Sequence, residues 1–266
     1  MLKRASHVLG FVALVALIGV NFQGAAKAQD QYRQNLAASS VLETIKKRGK
    51  LIAGVSAFVP WVMRSTKGEL IGFEIDVAKQ VAKEMGVEIE FAPTQFDGII
   101  PALLTGKFDM IMTGIWITLP WNMSSVNFSN PYDWTGLSLA ANKKMTANFK
   151  HDDFNNSNVT ITLRRGNAVG VTAAKKHWPK AVIRQFDDDQ PALQDVLNGR
   201  AHAFLTAEPK PSNYVVLNPD VLYKPFGDEL LTKNPAGFAV RKGDLDALNF
   251  LSSWIVIYTS NGWLME

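Results

Sequence analysis

Residues 98–132 read GIIPALLTGKFDMIMTGIWITLPWNMSSVNFSNPY, and the fold turns on how this stretch is parsed. The segment 98–104 has the length and apolar content of a short helix. Residues 110–117, MIMTGIWI, form a continuous apolar run of strand length. No Arg or Lys follows Lys107 until Lys143, so whatever the loop after this strand does, it does without a cation.

The same rhythm extends outward. Upstream, 50–55 (KLIAGV) predicts a strand and 74–85 a helix, whose apolar positions Val77, Ala78, Val81, Ala82 and Met85 recur at spacings of three and four. Gly86 closes that helix, and 87–91 is the next strand. Alternating strand and helix argues a largely parallel sheet with covering helices and ligands at the carboxyl ends of the strands. Downstream a second series appears: strand 159–163, helix 166–177, strand 182–186, a helix from about Gln190 and strand 201–206. Asp187, Asp188 and Asp189 supply acidic caps for the fourth of these, with Pro191 in its first turn and Gly199 at its end. Two similar α/β units joined by extended segments predict two lobes, 41–136 plus 237–266 and 137–236, with crossings at 137–142 and 224–236.

The first residues speak to compartment. Lys3 and Arg4 precede an apolar run over 8–20, and Ala26-Lys27-Ala28 places small residues where a signal peptidase cuts. Residues 1–28 are expected to be an export signal cleaved after about Ala28, and 29–40 a flexible lead-in. The leader takes three of the 28 basic residues and no acid, leaving 25 against 24 acidic residues. A near-neutral mature chain offers no footprint for nucleic acid, and no stable membrane insertion is expected once the leader is gone. There is no cysteine, so no disulfide or thiol chemistry is available. His151, His177 and His202 show no ligand spacing, and neither a metal nor a cofactor is expected.

Four segments resemble, in order and in register, the family 3 solute-binding proteins, the periplasmic amino-acid-binding proteins of ABC transporters, and are closest to glutamine-type members. They are Ser56-Ala57-Phe58-Val59-Pro60-Trp61, Gly72-Phe73-Glu74-Ile75-Asp76-Val77-Ala78, Phe96-Asp97-Gly98-Ile99-Ile100-Pro101-Ala102-Leu103, and Gly114 through Tyr132. The resemblance implies the type II periplasmic-binding-protein fold: α/β, two lobes, each a mostly parallel sheet flanked by helices, and a two-segment hinge. It also implies a small-molecule ligand closed between the lobes and delivery to an inner-membrane ABC permease.

By the same resemblance, the rings at Phe58 and Phe96 flank the ligand, or else pack the lobe's core. Gly114 matches the carbonyl that takes a ligand amine. The next family contact, a threonine, falls on Trp116, a bulky indole with one N–H donor. The carboxylate-binding arginine falls on Asn122, preceded by Trp121, and an amide replaces a bidentate cation poorly. In the second lobe the family's Gly-Thr pair is Gly166-Asn167, with Arg164 and Arg165 just before it, either ligand-facing or solvated surface charge. The amine-binding aspartate aligns with Ala207, and Glu208 is its acidic neighbour. Trp61, Trp116 and Trp121 lie on or beside the site segments. Their ring faces suit a cationic or apolar ligand, or fill the space of an abandoned site. Altered specificity is the favoured expectation, with Arg164 first in line for a carboxylate. A cyclohexadienyl dehydratase on this fold is the enzymatic alternative, with Glu208 as acid and Arg164 as clamp.

Overall fold

The structure, a computed structural model, describes residues 40–118 and 125–265. The expected export signal, most of the lead-in, and both Trp121 and Asn122 lie outside the described residues.

The first half opens with helix α1 (Val41–Arg48), capped by Ser40 and closed by Gly49 at φ 72. Strand β1 (Lys50–Val55) follows, then the short pair β2 (Met63–Arg64) and β3 (Leu70–Ile71). Helix α2 (Phe73–Glu84) buries Ile75, Val77, Ala78, Val81 and Ala82, the stripe its spacing predicts. Strand β4 (Glu88–Pro93), helix α3 (Ile99–Leu104), strand β5 (Met110–Trp116), β6 (Val126–Phe128) and β7 (Asp133–Thr135) complete it. The second half runs β8 (Leu137–Asn142), α4 (Lys143–Thr146), β9 (Thr160–Arg164), α5 (Ala168–His177), β10 (Val182–Phe186), α6 (Asp189–Leu197), β11 (Ala203–Ala207), α7 (Lys210–Leu217) and β12 (Leu222–Tyr223). The chain then returns to the first half with β13 (Asn234–Arg241) and α8 (Leu245–Ser260).

The first sheet has the order β4-β1-β5-β13-β6, with β7 also on β13; the second is β10-β9-β11-β8-β12. Each is built on three parallel strands, β4-β1-β5 and β10-β9-β11, extended by antiparallel ones. Strand β5 shows the period of two that a doubly covered sheet needs. Met110 and Met112 enter the core under α1, α2 and α8, while Ile111 and Ile115 enter the core under α3.

Residues 137–142, expected as a crossing, are instead an entirely buried strand of the second sheet. A run of apolar residues buried on both faces is a strand signal rather than a linker signal. Residues 234–236, assigned to the other crossing, already pair with β7 and β5 in the first sheet. The chain passes from one sheet to the other between Thr135 and Leu137. There Leu137 N–H donates to Thr232 Oγ1 (3.1 Å) and Leu231 N–H to the Leu137 carbonyl (2.8 Å), so the outgoing and returning segments run in contact. A side chain on Gly136 would overlap the Thr232 carbonyl, which explains glycine at this point.

Phe108 is 1% exposed and its ring lies where a side chain on Gly54 would sit, closing the core beneath α3. Phe108→Ala is expected to cost about 3–5 kcal/mol of unfolding free energy. Urea unfolding followed by tryptophan fluorescence reads this directly; a loss no larger than that of a surface substitution would show the ring to be dispensable.

Candidate functional site

Between the two sheets lies a cleft with about 750 Å³ of empty space, open solvent at its mouth included. The first half contributes Phe58 and Trp61 from the loop after β1, Phe96 from the turn before α3, and Gly114 and Trp116 from β5. From the second half come Arg164 at the end of β9, Asn167 at the start of α5, and Ala207 at the end of β11. These are the carboxyl ends of parallel strands, where such sheets leave room for ligands.

Of the residues singled out from sequence, Phe58, Trp61, Phe96, Gly114, Trp116, Arg164 and Asn167 all line this cleft. The two arginines separate cleanly. Arg165 is exposed and pairs with Asp187 at 2.8 Å, whereas Arg164 is 5% exposed and faces the cleft. Its guanidinium lies 4.4 Å from the Phe96 ring centre and donates to the Ala57 carbonyl at 2.8 Å, reaching across to the first half. Asn167 caps α5, its side-chain oxygen accepting from Gly170 N–H at 2.8 Å. A side chain on Gly166, at φ 82, would come within 2.8 Å of Asp97 Cα, so the halves meet backbone to backbone there. Trp116 packs against the second half's core and so spans the interface from β5.

Glu208 is a correction. It is absent from the cleft lining and its carboxylate pairs with Lys224 at 2.9 Å, while its other oxygen accepts from Ser212 N–H. Burial opposes its charge, but the hydrogen bonds from Lys224, Ser212 and Ser138 prevail and hold the carboxyl below its usual range.

The cleft also contains charge that sequence reasoning did not place. Asp189, assigned to helix capping, is 6% exposed; the cap of α6 is Asp188. Asp189 binds the Lys210 ammonium and lies 4.0 Å from Arg164. Lys210 is 2% exposed and its ammonium sits 3.6 Å from the Phe58 ring centre. Burial pushes its pKa down to about 8 against the pull of Asp189. Phe58 and Phe96 thus face the protein's own cations, a contact worth about 0.5–2 kcal/mol when desolvated.

On the first half the charge is reversed. Glu74, in the first turn of α2, is 1% exposed and lines the cleft beside Asp133. Tyr132 donates its hydroxyl proton to Glu74 Oε1 at 2.5 Å, and the Gly114 backbone hydrogen-bonds the same hydroxyl. Tyr132 is in turn stacked on Phe238 at 4.6 Å between ring centres. Burial drives the Glu74 carboxyl up to about 8, the Tyr132 hydrogen bond offsetting part of that rise and Asp133 adding to it. Sequence carried one signal for Glu74, an acid in a motif matching the family, but nothing to show that Tyr132 would meet it.

The profile of the bacterial extracellular solute-binding proteins, family 3, matches residues 51–266. The chain belongs to this family. The L-cystine-binding protein TcyJ of Escherichia coli (strain K12) is 28% identical over 240 residues, covering 87% of this chain and 85% of that protein. ABC transporter arginine-binding protein 1 of the same strain is 27% identical over 223 residues, covering 80% and 86%. Among solved structures, the ancestral amino acid-binding protein AncCDT-1, a precursor of cyclohexadienyl dehydratase, superposes with a TM-score of 0.76 at 37% identity, covering 85% of this chain and 96% of that one. These neighbours share the type II periplasmic-binding-protein fold. Among the described residues no group of His, Asp and Glu is placed to hold a metal ion, although His151 and His177 approach to 5.4 Å between ring centres. No helix among them is long and apolar enough to cross a membrane.

The raised Glu74 carboxyl has a consequence for stability. A carboxyl whose folded pKa lies above its unfolded value stabilises fully below the unfolded value and loses that contribution as pH rises through the folded one. For Glu74 this window runs from 4.5 to about 8. Thermal melts should therefore show the wild-type chain losing stability relative to Glu74→Gln as pH rises across that window. Parallel curves for the two proteins would show that Glu74 does not titrate there.

Proposed function

We propose that this chain is the periplasmic solute-binding component of an ABC importer. On this reading it carries a small polar or amino-acid-like ligand in the cleft between its halves, and its specificity departs from the family's usual one. The observation that carries the reading is the cleft itself, lined from both sheets by residues of a chain that belongs to a solute-binding family. A ligand held from both sides favours the closed arrangement over an open one, and the permease then reads the closed shape. Export by the 1–28 signal fits that role.

The altered specificity rests on charge. Asn122 aligns with the family's carboxylate-binding arginine, and the first half's cleft residues are acidic and aromatic instead: Glu74, Asp133, Trp61 and Trp116. On the second half, Arg164 and Lys210 face one buried carboxylate, Asp189, which leaves a buried excess of positive charge. Such an excess is stabilised by an anionic group entering the cleft. We infer that a ligand carboxylate goes to Arg164, and that Phe58, Phe96 and Asn167 shape the space beside it.

A dehydratase is the second reading, favoured by the similarity to a precursor of cyclohexadienyl dehydratase. Its sequence-based acid, Glu208, is engaged by Lys224, which weakens that assignment. Turnover of prephenate or arogenate, followed by absorbance, would establish the enzyme instead.

A thermal-shift screen over amino acids, amines, quaternary ammonium compounds and aromatic acids should yield at least one class that raises the melting temperature by mass action. No shift from any class would end the solute-binding reading. For a carboxylate-bearing hit, Arg164→Gln should weaken calorimetric affinity by about 1.5–3 kcal/mol, the range of a charge-assisted hydrogen bond. Unchanged affinity would remove Arg164 from the carboxylate role.

A further inference from the structure

Glu74 is the buried polar group in the cleft whose bonding is left incomplete. Its Oε1 accepts from Tyr132, but its Oε2 is buried and has no hydrogen-bond partner among the described residues. A buried carboxyl oxygen without a partner carries a desolvation cost in either protonation state. The side chain lines the cleft, so the missing partner has a place from which to come.

The surroundings select the partner's charge. The titratable groups acting on Glu74 are Tyr132, from the segment before β7, and Asp133, on β7 itself. Strand β5 presents Thr113 and Gly114 to the cleft, and the loop after β1 presents Trp61, whose carbonyl accepts from Glu74 N–H; none of these is charged. Arg164, which lines the cleft, and Lys210, buried against Asp189 outside that lining, are both on the second half. A cationic group entering the cleft is thus drawn to the Glu74 side and repelled from the other. Trp61 and Trp116, lining the same cleft, offer ring faces that suit a cation.

We propose that Glu74 is the seat of a cationic nitrogen of the ligand, an ammonium or a guanidinium, and that its arrival releases the carboxyl proton to solvent. The inference rests on the solute-binding reading and names the ligand class for that site. The proton balance is simple. Before binding, Glu74 Oε2 carries the proton; on binding, the carboxylate accepts an N–H from the ligand cation and the proton passes to bulk buffer. With the carboxyl raised to about 8, nearly a full proton is available for release at pH 7. Lys210 titrates in the same range, but an anion arriving beside it would take up a proton, the opposite sign.

The test is calorimetry of the full chain at pH 7 in two buffers of different ionisation enthalpy, with agmatine and L-arginine as probes. Agmatine has no carboxylate, so no anion arrives beside Lys210 and no proton uptake there offsets its signal. The expected result is release of close to one proton per bound probe, falling several-fold by pH 9. Glu74→Gln should abolish the release and weaken binding at least tenfold. Tyr132→Phe, which keeps the ring on Phe238 and the Glu74 carboxyl in place, should retain the release. A purely structural Glu74 would not change the proton count. Release that persists in Glu74→Gln overturns the assignment. So does tight binding of neutral L-glutamine or of succinate with no binding of either cationic probe, while leaving the solute-binding reading intact. Absence of binding by all four compounds overturns the Glu74 assignment, and the solute-binding reading falls with it only where the thermal-shift screen also yields no ligand class.

Discussion

The buried carboxylate of Asp189 organises the second half's side of the cleft. Without it, Arg164 and Lys210 would be two cations nine-tenths buried within one small volume, an arrangement whose desolvation cost no ring contact could offset. With it, one cation is neutralised and the other remains as usable charge. The position of Asp189 follows from α6: Asp188 caps the helix, which frees the next residue to point inward. The placement of Arg164 follows from β9, whose last residue it is, at the strand end that opens on the cleft. Phe58 and Phe96 then cover the two cations from the first half. Charge on one sheet and aromatic area on the other are what bring the halves into register.

That register explains why the cleft is polarised rather than uniformly charged. The second half carries its cations at the end of β9 and the start of α7. The first half carries Glu74 and Asp133 at the ends of α2 and β7. Each half alone would present an uncompensated buried group. On the proposed function, a ligand with opposite charges at its two ends would satisfy both at once only with the halves closed, so charge distribution would couple binding to closure as much as shape does.

How much of this was legible in the sequence depends on whether the signal was local. Strand β1 lies where its apolar run placed it, and α2 buries the stripe its spacing predicts, because burial imposes a pattern on the residues themselves. The two- and three-residue strands β2, β3, β6, β7 and β12 have no period to read; they exist only because a partner strand lies alongside. The six residues of β8 are buried on both faces and so carry no alternation, which leaves the sequence of such a strand hard to tell from an extended linker of small residues. Of the cleft residues, Phe58, Phe96, Gly114 and Trp116 lie in the motifs in register, and Arg164 stands just before the Gly166-Asn167 pair that the resemblance aligns. Glu74 and Asp189, which also line the cleft, and Lys210, buried against Asp189, act through partners 58 and 21 residues away in the chain. An acid in the first turn of a helix reads as a cap from sequence, since the local electrostatics favour it there whatever else it does.

The acids of the first half also bear on why a Glu rather than a shorter carboxylate stands at position 74. Glutamate is longer by one methylene, and here its Oε1 is within 2.5 Å of the Tyr132 hydroxyl, a hydroxyl fixed by the Gly114 backbone and by stacking on Phe238. Gly114, at φ 61, has no side chain to intervene: a Cβ there would come within 3.0 Å of Glu74 Oε1. The longer acid, the tyrosine and the bare backbone therefore form one unit. It holds a carboxyl deep enough to be neutral and near enough to the cleft to be ionised by what enters. We propose that the first half meets its ligand through this acid from α2, since the charged residues it contributes to the cleft lining, Glu74 and Asp133, are both acidic.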